Sequence, residues 1–301
     1  MEKRSILHML DPMPHNSPFD INMAMDAGFE VLMPYSNVKL DSVYALTQDA
    51  IFSRSPAGVK RTGIFIGGRD FALAMDMLDA SRQAMVPPFE VSVFADPSGA
   101  FTTAAALVAC VEKELLSHHG KKLEECTALV FGGTGPVGIA TGVIASLAGA
   151  KTTLVDHLSA ETAQEVAKAY NRRFGSTLDG NCARNDAEKA ELVADTDIIF
   201  CTAKAGIQVI SGAVLKAAKQ LKVAGDVNAV PPLGIEGIKR NDRGVPLLLA
   251  ENAQGAVGVG SLAIGNVKYQ LQNTMLNLML TTDKPLYIDF RQAFSKAREI
   301  A

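Results

Sequence analysis

Short apolar runs alternate with longer amphipathic segments along almost the whole chain. That rhythm predicts an α/β protein, with parallel strands covered by helices. In the first part the pattern predicts strands near Ser5–Met9, Val31–Met33, Gly63–Ile66 and Val91–Phe94. Helices are expected near Pro18–Ala27, Asp70–Met85 and Gly99–Leu116. The segment His118–Cys126 is polar and interrupted by glycine, and reads as a link to a second domain. Beyond it the pattern predicts strand Ala128–Phe131, helix Pro136–Ala148, strand Thr152–Val155, helix Ala160–Phe174 and helix Ala187–Val193. Strand Ile198–Cys201, helix Gly212–Lys219 and strand Leu221–Ala224 follow, which together make half or more of a dinucleotide-binding sheet. A long apolar-periodic helix near Leu262–Leu280 and a closing helix near Phe290–Glu299 are expected to return to the first domain.

The composition agrees. With 301 residues, 48% hydrophobic and 20% charged, the chain is long enough for two cores. A net charge of -3 offers no broad basic surface for nucleic acid. The N-terminal apolar run meets Asp11 and Pro12 before a signal peptide's hydrophobic region is complete. The uncharged stretch Cys126–Ala150 is long enough to suggest a membrane span, but Gly132, Gly133, Gly135, Pro136 and Gly138 cut it into strand, turn and helix. Four scattered cysteines without Cys-x-x-Cys, and histidines without ligand spacing, point to a reducing compartment and no structural metal. A cytoplasmic protein without a membrane partner is the expectation.

The candidate chemistry gathers at strand ends. Gly133-Thr134-Gly135-Pro136-Val137-Gly138 fits G-x-G-x-x-G, directly after a strand and at the start of a helix. Gly133 is expected to make the sharp turn, Gly135 to let backbone approach a pyrophosphate, and Gly138 to let helix pack on strand, while the helix N-terminus faces the anion. Asp156 ends the next strand, where a carboxylate accepts ribose hydroxyls and repels a 2′-phosphate, favouring NAD over NADP. His157 softens that repulsion when cationic. The competing reading makes Asp156 a cap for the helix near Ala160. Thr202 and Ala203, just past strand Ile198–Cys201, are counted with the cofactor residues.

Other positions carry two readings. Ser17-Pro18-Phe19-Asp20 fits an N-cap serine with a first-turn carboxylate, or places Asp20 against a substrate. Asp96, Thr102 and Thr103 lie between a strand and a small-residue helix, on the carboxyl edge where α/β sites form. Asp226 and Asn228, with Pro231 and Pro232 behind them, mark a second such edge. Lys268 is a single cation on an apolar helix, either snorkelling to the surface or reaching a ligand. Tyr35 and Lys39 match Tyr-x-x-x-Lys, but Pro34, Ser36 and Asn37 make that segment a loop.

Several stretches, including Ser5-Ile-Leu-His-Met-Leu, Phe94-Ala-Asp-Pro-Ser-Gly-Ala-Phe-Thr-Thr, Asp226-Val-Asn-Ala-Val-Pro-Pro-Leu-Gly and Gly265-Asn-Val-Lys-Tyr-Gln, resemble the bacterial NAD(P)-dependent methylene-tetrahydromethanopterin dehydrogenases. The likeness spans nearly the whole chain. It implies oxidation of the methylene to the methenyl pterin with hydride passing to NAD or NADP, in cytoplasmic formaldehyde oxidation. It also implies a substrate domain over 1–124 completed by 262–301, a Rossmann-like cofactor domain over 125–261, and a cleft where they meet. The resemblance implies substrate contacts around Asp20, Asp96, Thr102, Thr103 and Lys268, with Asp20 and Lys268 taken as catalytic, and Asp226 and Asn228 on the second strand edge are counted with the substrate residues. A homo-oligomer is expected, since helix 262–280 suits an interface as well as a core. The rival readings are a methylene-tetrahydrofolate dehydrogenase and a non-catalytic NAD(P) sensor.

Overall fold

The computed structural model describes residues 3–301. The chain forms two compact units: residues up to Thr102 with Tyr269–Lys296, and Thr103–Lys268 with Ala297–Ala301.

The first unit opens with β1 (Ile6–Leu10), α1 (Pro18–Asp26), β2 (Val31–Tyr35), α2 (Leu40–Phe52) and α3 (Pro56–Val59). It continues through β3 (Thr62–Ile66), α4 (Phe71–Gln83) and β4 (Ser92–Ala95). The helix α5 (Ala100–His119) then starts in this unit and runs into the second.

The second unit carries β5 (Thr127–Phe131), α6 (Pro136–Leu147), β6 (Lys151–Asp156), α7 (Ala160–Phe174), β7 (Asp179–Cys182) and α8 (Asp186–Val193). Then come β8 (Ile198–Cys201), α9 (Gly212–Ala217), β9 (Val223–Asp226), β10 (Arg243–Pro246) and β11 (Val257–Val259). The long α10 (Ser261–Thr281) leads back to β12 (Tyr287–Ile288) and α11 (Phe290–Ile300).

Both sheets are parallel apart from one edge. The first has the order β12-β4-β3-β1-β2, and the second β10-β11-β9-β8-β5-β6-β7 with β10 antiparallel to β11. The fully buried strands TGIFI and SVFA occupy the middle of the first sheet, as expected where helices cover both faces. Its core includes an edge-on cluster of Phe71, Phe101 and Phe290, with ring centroids 4.6, 5.2 and 5.6 Å apart. Each buried phenyl contributes about 1.5–3 kcal/mol relative to exposure.

Local signals place the helix ends. The Asp70 carboxylate accepts from Leu73 N at 2.9 Å at the head of α4. The Ser159 hydroxyl accepts from Thr162 N at 3.1 Å at the head of α7, and Gly175 ends that helix with φ 73.

Two expectations change. The polar segment 118–126 is not where the units divide: α5 continues through His119 and the division falls near its start, at Thr102/Thr103. Helices α2 and α3 and strands β7, β10, β11 and β12 were not predicted at all. The apolar face of α10 packs inside the chain, with Leu271, Met275, Leu276 and Met279 all buried, while Leu262 and Tyr269 are exposed. Among the described residues no helix is long and apolar enough to cross a membrane, and no group of three or more His, Cys, Asp or Glu side chains is placed to hold a metal.

Candidate active site

In the second sheet the chain steps outward from β5 through β6 to β7, then returns to β8 on the other side of β5. The carboxyl ends of β5 and β8 therefore flank the crevice in which doubly wound sheets bind ligands. A cavity of about 450 Å³ opens there, with Gly132, Thr134 and Gly135 on one side and Thr202 and Ala203 on the other.

The turn between β5 and α6 has little spare room. Gly132 holds the left-handed conformation at φ 76, so the sharp turn falls one residue before Gly133, where spacing alone had put it. A Cβ on Gly138 would lie 2.2 Å from the Gly132 carbonyl oxygen and 2.8 Å from Gly133 Cα, so Gly138 lets the helix close on the turn itself. Gly135 differs: a Cβ there would meet only the Gly132 oxygen, at 3.5 Å, which leaves its cavity side open. Pro136 and Val137 begin α6, whose first N–H groups have no partner within the helix. The Thr202 hydroxyl donates to the Phe131 carbonyl at 2.9 Å, which ties the β8 loop to the β5 loop.

Asp156 sits at the end of β6, buried but lining the cavity. One carboxylate oxygen accepts from the Thr134 hydroxyl at 2.6 Å, and the other accepts from Leu158 N at 2.8 Å and Ser159 N at 3.0 Å. Burial alone would raise its pKa, but those donors outweigh it and hold the carboxyl below the usual carboxylate range. The capping alternative does not apply, because Ser159 caps α7 and Asp156 shapes the turn before it. His157 is exposed on the cavity rim. A glycine cradle at a helix start and an ionised carboxylate one strand over fit a dinucleotide.

Asp226 and Asn228 are turned inward. Asp226 accepts from Asn228 N at 2.9 Å and Ile235 N at 3.1 Å, and burial raises its pKa despite these donors. The Asn228 side chain accepts from Gly206 N at 3.1 Å and donates to the Pro232 carbonyl at 2.9 Å. Both residues brace loops.

In the first unit Asp96 is fully buried and accepts from Phe101 N at 2.9 Å, Thr102 N at 3.1 Å and the Thr102 hydroxyl at 2.7 Å. This pair anchors the head of α5, with Ser98 beside it at φ 51 donating to the Gly68 carbonyl at 2.8 Å. Asp20 is also buried, but it does not complete a cap: Ser17 makes no side-chain cap bond, and Asp20 accepts from Gln272 Nε2 at 2.8 Å. Thr103 and Lys268, at the two ends of the main stretch of the second unit, are half-buried. Tyr35 ends β2 with its hydroxyl 3.1 Å from His8 Nδ1, while Lys39 is exposed at the head of α2, so no helical Tyr–Lys face exists.

The structure thus gathers Thr134, Gly135, Asp156, His157, Thr202 and Ala203 around one cavity, with Gly133 and Gly138 beneath it. Missing from the sequence reading are Arg184, Lys204 and Gln208, from the loops after β7 and β8, and Lys189 from α8, which line the same cavity. The signal was weak, since β7 reads Asp-Gly-Asn-Cys and carries no apolar alternation.

Comparison with known proteins decides the family. The chain is 48% identical over 301 residues, 99% of both chains, to the NAD(P)-dependent methylenetetrahydromethanopterin dehydrogenase of Methylorubrum extorquens. It belongs to this dehydrogenase family. Residues 18–98 also match the family model described as methylene-tetrahydromethanopterin dehydrogenase, N-terminal. A second protein of the same organism, Bifunctional protein MdtA, is 29% identical over 298 residues, 99% of each chain. Among solved structures, shikimate 5-dehydrogenase from Listeria monocytogenes in complex with shikimate and NAD aligns with TM-score 0.54 at 12% identity, covering 99% of this chain and 96% of that one. The malic enzyme of Entamoeba histolytica aligns with TM-score 0.54 at 13% identity, over 98% of this chain and 75% of that one. These two likenesses establish the Rossmann-type fold of this methylenetetrahydromethanopterin dehydrogenase family member, an oxidoreductase of C1 metabolism.

Proposed function

We propose that this chain oxidises methylene-tetrahydromethanopterin to the methenyl form, passing hydride to NAD(P)+, as a cytoplasmic step of formaldehyde oxidation. The 48% identity across 99% of both chains carries this reading, and the glycine turn at the β5/β8 crevice supports it. The nicotinamide, when bound, supplies the hydride acceptor.

The carbon that gives up hydride lies between two nitrogens, so the product is a resonance-stabilised amidinium and the hydride step moves no proton. The protein's work is then to hold that carbon in place and to tolerate developing positive charge. Of the three carboxylates considered, Asp20 suits the second task best. Asp96 is taken up by its own helix, and burial pushes Asp226 toward its neutral form. Lys268 would oppose a cation at the reacting carbon, so its place is at a pterin oxygen or an anionic part of the substrate. Lys268→Ala should raise KM strongly, and unchanged kinetics would remove Lys268 from the site. Asp156, held ionised, favours NAD over NADP.

The direct test offers purified protein methylene-tetrahydromethanopterin and methylene-tetrahydrofolate, each with NAD and with NADP, and follows reduced nicotinamide. Turnover with the methanopterin substrate supports the reading. Turnover with the folate alone, or none with either, overturns it.

A further inference from the structure

The cavity at the β5/β8 crevice carries more positive charge than a pyrophosphate needs. Asp156 is the one acidic residue among those lining it, against His157, Arg184, Lys189 and Lys204. Lys189 is already engaged, donating to the Val209 carbonyl at 2.8 Å and pairing with Asp186. Arg184 is engaged differently. Strand β7 pairs with β6 so that Cys182 lies opposite Asp156, and Ala183 N donates to the Asp156 carbonyl at 3.0 Å. Arg184 therefore leaves the sheet beside Asp156. Its Nε donates to the Leu158 carbonyl at 3.2 Å, which holds the guanidinium across the turn 156–158. No hydrogen bond from either terminal nitrogen is formed among the described residues. Glu161, exposed and accepting from the Ser159 hydroxyl, is the opposing charge that Arg184 feels from α7.

The Asp156 carboxylate has about four acceptor positions, and three are taken by its own chain. One remains for a ribose hydroxyl, so paired hydrogen bonding to both hydroxyls is not available to exclude a phosphorylated ribose. Exclusion then rests on charge, and a planar guanidinium at the same turn counters that charge with a fork shaped for phosphate.

We propose that Arg184 is the specificity residue that receives a 2′-phosphate on the adenosine end of the cofactor, and so sets how well NADP is accepted beside NAD. This rests on the reading that the cavity holds that end of the dinucleotide.

The test is calorimetric titration of the full-length protein with adenosine 2′,5′-bisphosphate and with adenosine 5′-monophosphate, which needs no pterin and no turnover. In Arg184→Gln the ratio of bisphosphate to monophosphate affinity should fall about tenfold. Arg184→Lys should retain part of the ratio, and Glu161→Gln should raise it. Steady-state kcat/KM for NADP over NAD should follow the same order. An unchanged ratio in Arg184→Gln, or an equal loss for both ligands, overturns the assignment while leaving the cavity's role intact. Failure of the unaltered protein to bind either ligand overturns the cavity's role and the assignment with it.

Discussion

At Gly138 a single methyl group decides whether the cofactor turn can form. The nearest atoms to an added Cβ are backbone, the Gly132 oxygen at 2.2 Å and Gly133 Cα at 2.8 Å, so no side chain can swing away. Gly138→Ala should cost about 1–3 kcal/mol of stability, as overpacking does, with a lowered Tm in thermal melts and weakened NAD binding in the same preparation. Thr134→Val tests the neighbouring hydroxyl. It removes one of the three donors that keep Asp156 ionised, and NAD affinity should fall by roughly threefold to tenfold, given about 0.5–1.5 kcal/mol for a hydrogen bond. Residues of this kind were readable in the sequence, because a glycine motif after a strand and before a helix has few other uses. Which glycine turns was not readable, since the positive φ at Gly132 is accompanied by the close approach of Ala203, from the loop after β8 about seventy residues away, which leaves no room for a Cβ.

Strand ends and helix starts carry internal bonds that residue type alone does not reveal. Asp96, Asp226 and Asn228 stand at strand ends and Thr102 in the first turn of α5, and position suggests ligand contacts. In the structure Asp96 and Thr102 bond to each other and to backbone at the head of α5, and Asp226 and Asn228 bond to backbone groups of their own loops, bonds that one-dimensional pattern does not reveal. Asp96→Ala leaves two N–H groups and a hydroxyl at the head of α5 without their acceptor, and should cost about 2–4 kcal/mol in urea unfolding. The strands absent from the sequence reading fail for a different reason: β7, β10 and β12 are short edge or near-edge pieces with polar, proline-bearing or two-residue sequences. Their pairing comes from neighbours, not from periodicity. Helix α2 was equally hidden, because its buried positions Val43, Thr47, Ala50 and Ile51 are interspersed with exposed Leu40, Tyr44 and Phe52.

For the whole molecule, the titration of buried carboxylates shapes stability across pH. Burial would raise the pKa of Asp197, but its bonds to the Lys222 ammonium and to the Thr127 amide and hydroxyl bring it below the usual range. A carboxyl depressed on folding adds stability that is present above its unfolded value, about 3.9, and lost as pH falls through the folded one. Asp156 acts in the same sense. Asp226, raised by burial, acts oppositely: its contribution is present below about pH 3.9 and is lost as pH rises through its folded pKa. Denaturant titrations should therefore show a steep loss of stability below about pH 4. Asp197→Asn should lower stability at pH 7 and flatten that acid limb, and an unchanged limb would count against Asp197 as its source.

The connectivity of the first unit has a consequence for how the protein is made. Its sheet is completed by β12, which pairs with β4, and its interior by α10, whose Met279 lies against Gly63. Both are completed only after the stretch Thr103–Lys268 of the second unit has been translated. While the ribosome is adding residues 103–268, the first hundred residues hold four strands covered by α1, α2 and α4 but without β12 and α10, whereas the second unit's strands arrive in one uninterrupted stretch. Synthesis proceeds from the N-terminus at about 5–20 residues per second, so that interval lasts many seconds. Until then the first unit's sheet lacks β12 beside β4 and the α10 side chain beside Gly63, and it is their arrival that completes it.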